Sequence, residues 1–268
     1  MERSDRLLEL NKIYCMDCLE GLKLLDDECI NLTVTSPPYD DLRKYNGYEW
    51  DFEGLARELY RVTKNGGVVV WIVADAVKNG SETGTSFRQA LYFKEVGFNI
   101  HDTMIWRKDT FNFPDKTRYG QSFEYMFVFS KGKIKTVNKI KDRKNKWCGT
   151  KNHGTSRKSN GITYRKSNHN KTTVGEFGER FNVWNISSEK NNKTGHPAVF
   201  PEQLAKDHIL SWSNQGDAVL DPFVGSGTTC KIAKITQRNY IGFEISKEYC
   251  NIAKNRVFET FEQLELNI

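Results

Sequence analysis

Three apolar runs rich in β-branched and aromatic residues, Ile30–Thr35, Val68–Val73 and Glu124–Ser130, constrain the fold most tightly. Strands with so little polar surface must be buried on both faces. Shorter runs of the same kind stand at Lys12–Cys15, Ile100–Trp106, Ala218–Leu220 and Tyr240–Phe243. Helix-like segments separate them: Cys18–Leu25, Phe52–Thr63, Ser86–Val96, Pro201–Trp212, Thr228–Ile235 and Lys247–Phe258. In Phe52–Thr63 the apolar residues Phe52, Leu55, Leu59 and Val62 follow helical spacing, and Asn65-Gly66-Gly67 is expected to stop the helix. The alternation predicts an α/β fold: a doubly wound, mostly parallel sheet with helices on both faces and ligands at the carboxyl ends of its strands.

A length of 268 residues with 38% hydrophobic content supports one full-sized core and leaves room for an insertion. The longest apolar stretch, Val68–Ala74, is about a third of the roughly 20 residues a membrane helix needs. The N-terminal MERSDRLLEL lacks a signal-peptide apolar core, so a cytoplasmic chain without a membrane partner is expected. Cys15, Cys18, Cys29, Cys148, Cys230 and Cys250 are scattered, mostly in apolar patterns, and read as structural thiols rather than a disulfide framework. Cys15-Met16-Asp17-Cys18 has the spacing of half a metal site, but no matching pair completes it, so no metal is expected.

The charge is unevenly placed. Lys131 to Lys171 holds 14 Lys/Arg against the single acid Asp142, while the rest of the chain has 26 basic and 33 acidic residues. Such a split suits a polyanion-binding segment on an acidic enzyme, and it equally suits a solvated loop. The segment 131–180 is read as an insertion between a first half, 1–130, and a second half, 181–268. It scatters Trp147, Tyr164, Phe177 and Phe181 (the last just beyond its edge) among Lys139, Lys141, Arg143, Lys144, Lys146, Arg157, Lys158, Arg165 and Lys166.

Two motifs fall at predicted strand ends. Thr35-Ser36-Pro37-Pro38-Tyr39 follows the run Ile30–Thr35, and its prolines make a stiff, extended turn that holds a carbonyl rigidly and projects Ser36 and Tyr39 from the carboxyl edge. Asp221-Pro222-Phe223-Val224-Gly225-Ser226-Gly227-Thr228-Thr229 follows Ala218–Leu220 and opens a helix. Its glycines permit close approach of a ligand. Cys230 stands where a dinucleotide fingerprint has its third glycine, and no Gly-Lys-Ser/Thr is present to cradle a triphosphate. Glu244, about twenty residues on, ends the next strand where ribose hydroxyls would need an acceptor. The combination suits an adenosyl ligand without phosphates.

The two motifs resemble those of the β-group DNA amino-methyltransferases of restriction-modification systems. In that group the catalytic motif comes first, a DNA-recognition insertion follows, and the glycine motif lies near the C-terminus. The blocks Cys15-Met16-Asp17-Cys18, Gly195-His196-Pro197-Ala198-Val199-Phe200-Pro201 and Phe243-Glu244-Ile245-Ser246 are also similar to family blocks. The resemblance implies a circularly permuted Rossmann-like methyltransferase that uses S-adenosylmethionine on double-stranded DNA. It implies that Thr35, Asp221, Phe223, Gly225, Gly227 and Thr228 line the cofactor, Glu244 takes its ribose hydroxyls, and Asp17 takes its adenine amino group. His196, Pro197 and Phe200 would close the methionine end. Asp17 equally suits the N-cap of the following helix, and His196 by itself is an ordinary surface histidine.

An exocyclic amino nitrogen is a poor nucleophile because its lone pair is delocalised into the ring. Ser36 and the Pro37 carbonyl are expected to accept its N–H groups, Pro38 to stiffen the turn, and Tyr39 to stack on a base flipped from the duplex. The nine cations of the insertion would follow phosphates and read base edges. Serine at position 36 departs from the Asp of most adenine-N6 enzymes and points to N4 of cytosine, with N6 of adenine as the alternative. A nicotinamide dehydrogenase, a non-catalytic DNA-binding protein and an RNA or protein-glutamine methyltransferase are the competing readings. A restriction endonuclease with the same site and a second copy of the chain are further partners, in a bacterial, archaeal or phage-encoded setting.

Overall fold

The computed structural model describes residues 8–38, 50–110, 116–166, 171–188 and 201–265. The chain runs β1 (Lys12–Cys15), α1 (Cys18–Lys23), β2 (Ile30–Thr35), α2 (Phe52–Val62), β3 (Thr63–Val73), β4 (Val77–Lys78), β5 (Ser81–Glu82) and α3 (Thr85–Val96). It continues through β6 (Asn99–Arg107), β7 (Phe123–Ser130), β8 (Arg143–Lys144), β9 (Thr155–Arg157), β10 (Thr163–Arg165) and β11 (Phe177–Gly178). It ends with β12 (Val183–Asn185), α4 (Glu202–Trp212), β13 (Ala218–Asp221), α5 (Thr228–Ile235), β14 (Asn239–Glu244) and α6 (Lys247–Glu265).

Two compact units result: Met1–Asn138 with Asn182–Ile268, and Lys139–Phe181. The first is built on an eight-stranded sheet in the order β1-β14-β13-β2-β3-β7-β6-β12. Every neighbouring pair is parallel except β3–β7 and β6–β7, so β7 alone runs against the rest. This is the doubly wound α/β sheet that the alternation of strand and helix predicts. α1, α2 and α3 cover one face, where Leu22, Leu55, Leu59 and Phe93 pack with Val69, Trp71, Val73 and Phe129. α4, α5 and α6 pack side by side against the other. Phe93 and Phe129 stack with ring centroids 4.5 Å apart, and each such fully buried ring contributes roughly 1.5–3 kcal/mol relative to exposure.

Helix α2 forms where its spacing places it. Asp51 caps the N-terminus by accepting from Gly54 N at 2.8 Å, and Leu55, Ala56, Leu59 and Val62 are buried. The stop differs from expectation. The helix ends at Val62, because Thr63 turns extended and its hydroxyl donates to the Leu59 carbonyl at 2.6 Å. Asn65-Gly66-Gly67 lies inside β3, which reaches back to Thr63 through an irregular step in its pairing with β2. Gly66 takes φ +88° there, a conformation open to glycine and costly for other residues.

The expected boundary at residue 131 also moves. Lys131 donates through Nζ to the Tyr60 carbonyl at 2.9 Å, and Asn138 N donates to the Ser211 carbonyl at 2.8 Å, so 131–138 belongs to the first unit. No described residue of Lys139–Phe181 is buried. That unit is an antiparallel arm held by backbone hydrogen bonds, with Arg180 N to Ile140 O, Asn145 N to Glu176 O and Val174 N to Thr150 O each at 2.8 Å. No helix among the described residues is long and apolar enough to cross a membrane. All six cysteines are free: Cys18, Cys230 and Cys250 are buried, Cys29 is half-buried, and Cys15 and Cys148 are exposed.

Candidate active site

β13 and β2 are neighbours in the middle of the sheet, yet the next strands along the chain from each, β14 and β3, lie on opposite sides. At such a switch point the loops diverge and leave a crevice at the carboxyl ends. Both motifs leave the sheet here. Thr35 ends β2 fully buried, and its hydroxyl donates to Asp221 Oδ1 at 2.7 Å. The same oxygen accepts from Phe223 N at 3.0 Å, and Asp221 is 1% exposed. Burial pushes the Asp221 carboxyl up to about 6, against the opposing hydrogen bonds from Thr35 and Phe223 N and with added repulsion from Glu244.

The loop after Asp221 is shaped by its glycines. Gly225 and Gly227 have φ +52° and +86°, and a Cβ at Gly227 would lie 3.0 Å from Ala253 Cα on α6. Glu244, half-buried at the end of β14, grips this loop: Oε2 accepts from Gly225 N at 2.8 Å and Oε1 from Ser246 N at 2.9 Å. Burial pushes its carboxyl upward as well, opposed by those backbone donors. Among the described residues no cationic side chain pairs with Asp221 or Glu244.

Asp17 follows β1, the strand beside β14, so Asp221, Glu244 and Asp17 stand at the carboxyl ends of three adjacent strands. Asp17 caps α1, with Oδ1 accepting from Leu19 N at 2.9 Å and Glu20 N at 3.1 Å. Thr228 is buried at the start of α5, and Thr229 beside it donates to the Val34 carbonyl at 3.1 Å. Phe223 packs edge-on against Trp50 at 5.2 Å and near Trp71 at 6.4 Å. Beyond Thr35, Pro37 is buried and Ser36 and Pro38 are half-buried, in irregular backbone. Tyr39, His196, Pro197 and Phe200 lie outside the described residues.

The structure therefore brings together Asp17, Thr35, Asp221, Phe223, Gly225, Gly227, Thr228 and Glu244. The Thr35 hydroxyl donates its hydrogen to Asp221 and keeps its acceptor lone pairs. Two contributors carry no motif in the sequence. Trp50 is one. The other is Arg256 on α6, whose Nη1 donates to the Ser226 carbonyl at 2.5 Å and to its hydroxyl at 2.9 Å. Its Nη2 reaches Glu202 at 3.0 Å, and Lys231 reaches the same carboxylate oxygen at 2.6 Å.

The candidate DNA-binding cations are exposed on the arm except Arg143, which is half-buried. Lys139 pairs with Glu179 at 2.9 Å, while Arg143 donates to the Glu179 carbonyl at 3.0 Å and lies 4.6 Å over the Phe181 ring.

Comparison with known proteins agrees with this architecture. Residues 30–255 match the N6/N4 DNA methylase family. The orphan methyltransferase M.BamHII of Bacillus amyloliquefaciens is 61% identical over 241 residues, which cover 87% of this chain and 90% of that protein. The DNA adenine methyltransferase YhdJ of Escherichia coli is 28% identical, covering 93% and 83%. Among solved structures, the cytosine-N4-specific PvuII DNA methyltransferase superposes with a TM-score of 0.67 at 20% identity, covering 94% and 91%. The TTHA0409 protein of Thermus thermophilus, solved with S-adenosyl-L-methionine, gives 0.64 at 22% identity, covering 93% of each chain. With more than three quarters of its length matched and its two motifs meeting at the sheet's switch point, the chain belongs to the N6/N4 DNA methylase family.

Proposed function

We propose that this chain transfers the methyl group of S-adenosylmethionine to N4 of cytosine, at a specific site in duplex DNA, after the base has flipped from the helix. It is a DNA methyltransferase, and S-adenosylmethionine is its methyl donor. The observation that carries the site assignment is the pair of carboxylates, Asp221 buried and Glu244 half-buried, both raised by desolvation and matched by no cation among the described residues. A sulfonium cofactor with an ammonium group supplies the missing positive charge, and a loop with two positive-φ glycines lets a ligand approach the backbone closely.

In this reading the Asp221 carboxylate orders the loop and sets its potential, Glu244 faces the ribose and Asp17 faces the adenine. When bound, the cofactor supplies an already activated methyl group. The protein's work is then to position the base and stabilise charge. The Ser36 hydroxyl and Pro37 carbonyl accept the amino hydrogens, which localises the nitrogen lone pair for attack, and Tyr39 stacks on the base. Cytosine is chosen on Ser36; N6 of adenine is the alternative, since a serine hydroxyl accepts from either amino group and an ionised Asp is simply a stronger acceptor.

Duplex DNA is the partner. A restriction endonuclease with the same recognition site and a second copy of the chain fit a restriction-modification enzyme of the cytoplasm. Transfer of tritium from labelled S-adenosylmethionine to duplex DNA tests the activity: incorporation at a defined sequence is expected. Absence of incorporation, with cofactor binding intact, contradicts it.

A further inference from the structure

Cys15 ends β1, and Cys250 stands in the first turn of α6. Successive side chains of a strand point to opposite faces of the sheet. Tyr14 lies with its ring centroid 6.3 Å from that of Phe243 and packs with the core under α1, α2 and α3. Cys15 therefore points to the other face, where α6 packs on β1. There the Cys250 thiol is hydrogen-bonded to Cys15, and Lys254, one helical turn on, donates to the same thiol. Cys15 is exposed, Cys250 is buried, and both are free. An accessible sulfur thus touches an enclosed one, beside an ammonium group.

Cys18 is nearer to Cys15 in sequence, but the chemistry favours Cys250. Cys18 is buried in the core under α1 and α2, on the opposite face of the sheet. Burial, and then the neighbouring Asp17 carboxylate, push its thiol up to about 12, which leaves almost no thiolate at neutral pH. Burial raises the Cys250 thiol too, but the charge and the hydrogen bond of Lys254 oppose it. Position gives the pair a consequence. Cys15 is in register with Glu244, Met16 N donates to the Glu244 carbonyl at 3.1 Å, and Asp17 comes next. A sulfur–sulfur bond is about 2.05 Å long, far shorter than a contact between hydrogen-bonded thiols. Closing it draws the end of β1 and the start of α6 together, and Asp17 and Glu244 move with them.

We propose that Cys15 and Cys250 are a redox modification site: a hydroperoxide joins them as a disulfide, and the disulfide weakens the binding of S-adenosylmethionine. The Cys15 thiolate attacks one peroxide oxygen, so that an S–O bond forms as the O–O bond breaks. The other oxygen takes the proton that Cys15 released and leaves as an alcohol or water. The Cys250 sulfur then attacks the Cys15 sulfenic acid; the S–S bond forms, the S–O bond breaks, and the oxygen leaves as water with the Cys250 proton. The two thiols lose two electrons and the peroxide gains them. The effect on binding rests on the proposed roles of Asp17 and Glu244, whereas the disulfide itself does not.

The test treats reduced full-length protein with hydrogen peroxide, blocks the remaining thiols with N-ethylmaleimide and maps the peptides by mass spectrometry, beside calorimetry with S-adenosylmethionine. A peptide linking Cys15 to Cys250 is expected, with the cofactor dissociation constant raised several-fold and restored by dithiothreitol. Cys250→Ser should stop at the Cys15 sulfenic acid, trapped as its dimedone adduct. Cys15→Ser should give no linkage and no change of affinity with peroxide. A Cys15–Cys18 linkage, or oxidation of Cys15 beyond the sulfenic acid without any linkage, overturns the site. Linkage with an unchanged dissociation constant overturns its effect on the cofactor. Reduced protein that binds no S-adenosylmethionine overturns the cofactor-site reading and the effect on binding with it, while the peptide map decides the disulfide separately.

Discussion

Thr35 and Asp221, 186 residues apart, close a hydrogen bond of 2.7 Å between the last residues of the two central strands. With Phe223 N, the hydroxyl is one of the donors that keep a carboxylate tolerable in a site with 1% exposure. Removing it leaves part of a buried charge unsatisfied. Thr35→Val should therefore cost roughly 1–3 kcal/mol of stability, whereas Thr35→Ser should cost far less. Urea unfolding midpoints of the two variants check this; equal midpoints would contradict it.

The raised Asp221 carboxyl makes cofactor affinity depend on pH. Its pKa moves from the ordinary 3.8 to about 6, so below about 6 the free protein carries it largely protonated. A cationic ligand favours the ionised form. Affinity for S-adenosylmethionine should rise with pH through about 6 and level off above it, by at most about tenfold per unit. The stability of the free protein runs the opposite way: the contribution is full below about 3.8 and is lost as pH rises through about 6. Asp221→Asn keeps the acceptor oxygen and should flatten both profiles. Calorimetric titrations and thermal melts from pH 5 to 8 read them out.

How much of this is legible in the amino-acid sequence differs residue by residue. Ile30–Thr35 and Ala218–Asp221 are legible because central parallel strands are apolar on both faces and end in polar residues at their carboxyl tips. β12 is not: of Val183, Trp184 and Asn185 only Trp184 is buried, and the strand exists because β6 offers it an edge. The end of α2 is legible to within one residue but its cause is not: Gly66 and Gly67 look like a helix stop, whereas they lie inside a strand, where a Cβ on Gly67 would lie 2.9 Å from the Asn31 carbonyl. The arm has no buried residue among those described and thus no periodicity to read. In the site, each motif announces itself locally, but the Thr35–Asp221 pairing and the reach of Arg256 to Ser226 are contacts between distant segments that no spacing rule encodes.

Glu244 and Tyr39 should separate binding from turnover. Glu244→Ala removes the acceptor of Gly225 N and Ser246 N, so the glycine loop loosens and the cofactor dissociation constant should rise by roughly five- to a hundredfold. Tyr39→Ala should leave that constant unchanged and reduce kcat. Calorimetry with single-turnover kinetics distinguishes them; a Tyr39→Ala protein unable to bind cofactor, beside a Glu244→Ala protein that binds normally, would reverse the assignment.

Arg256 should act at a distance. It touches the Ser226 turn, the Thr228 hydroxyl at 3.4 Å and Glu202, and it holds the turn from α6. Arg256→Ala should raise KM for S-adenosylmethionine several-fold with little change in kcat, and Arg256→Lys should restore part of it. Substitution at Glu202 should be non-additive with Arg256→Ala because both belong to one network. Steady-state kinetics of the two single variants and the double variant test this; additive effects would show that the network does not support the loop.

The identity of the methylated atom tests the proposed reaction most directly. Duplex DNA is incubated with the purified protein and S-adenosylmethionine, digested to nucleosides and analysed by mass spectrometry. N4-methylcytosine is the expected product. N6-methyladenine without N4-methylcytosine would contradict the role given to Ser36, and the absence of either methylated nucleoside would contradict the proposed reaction itself.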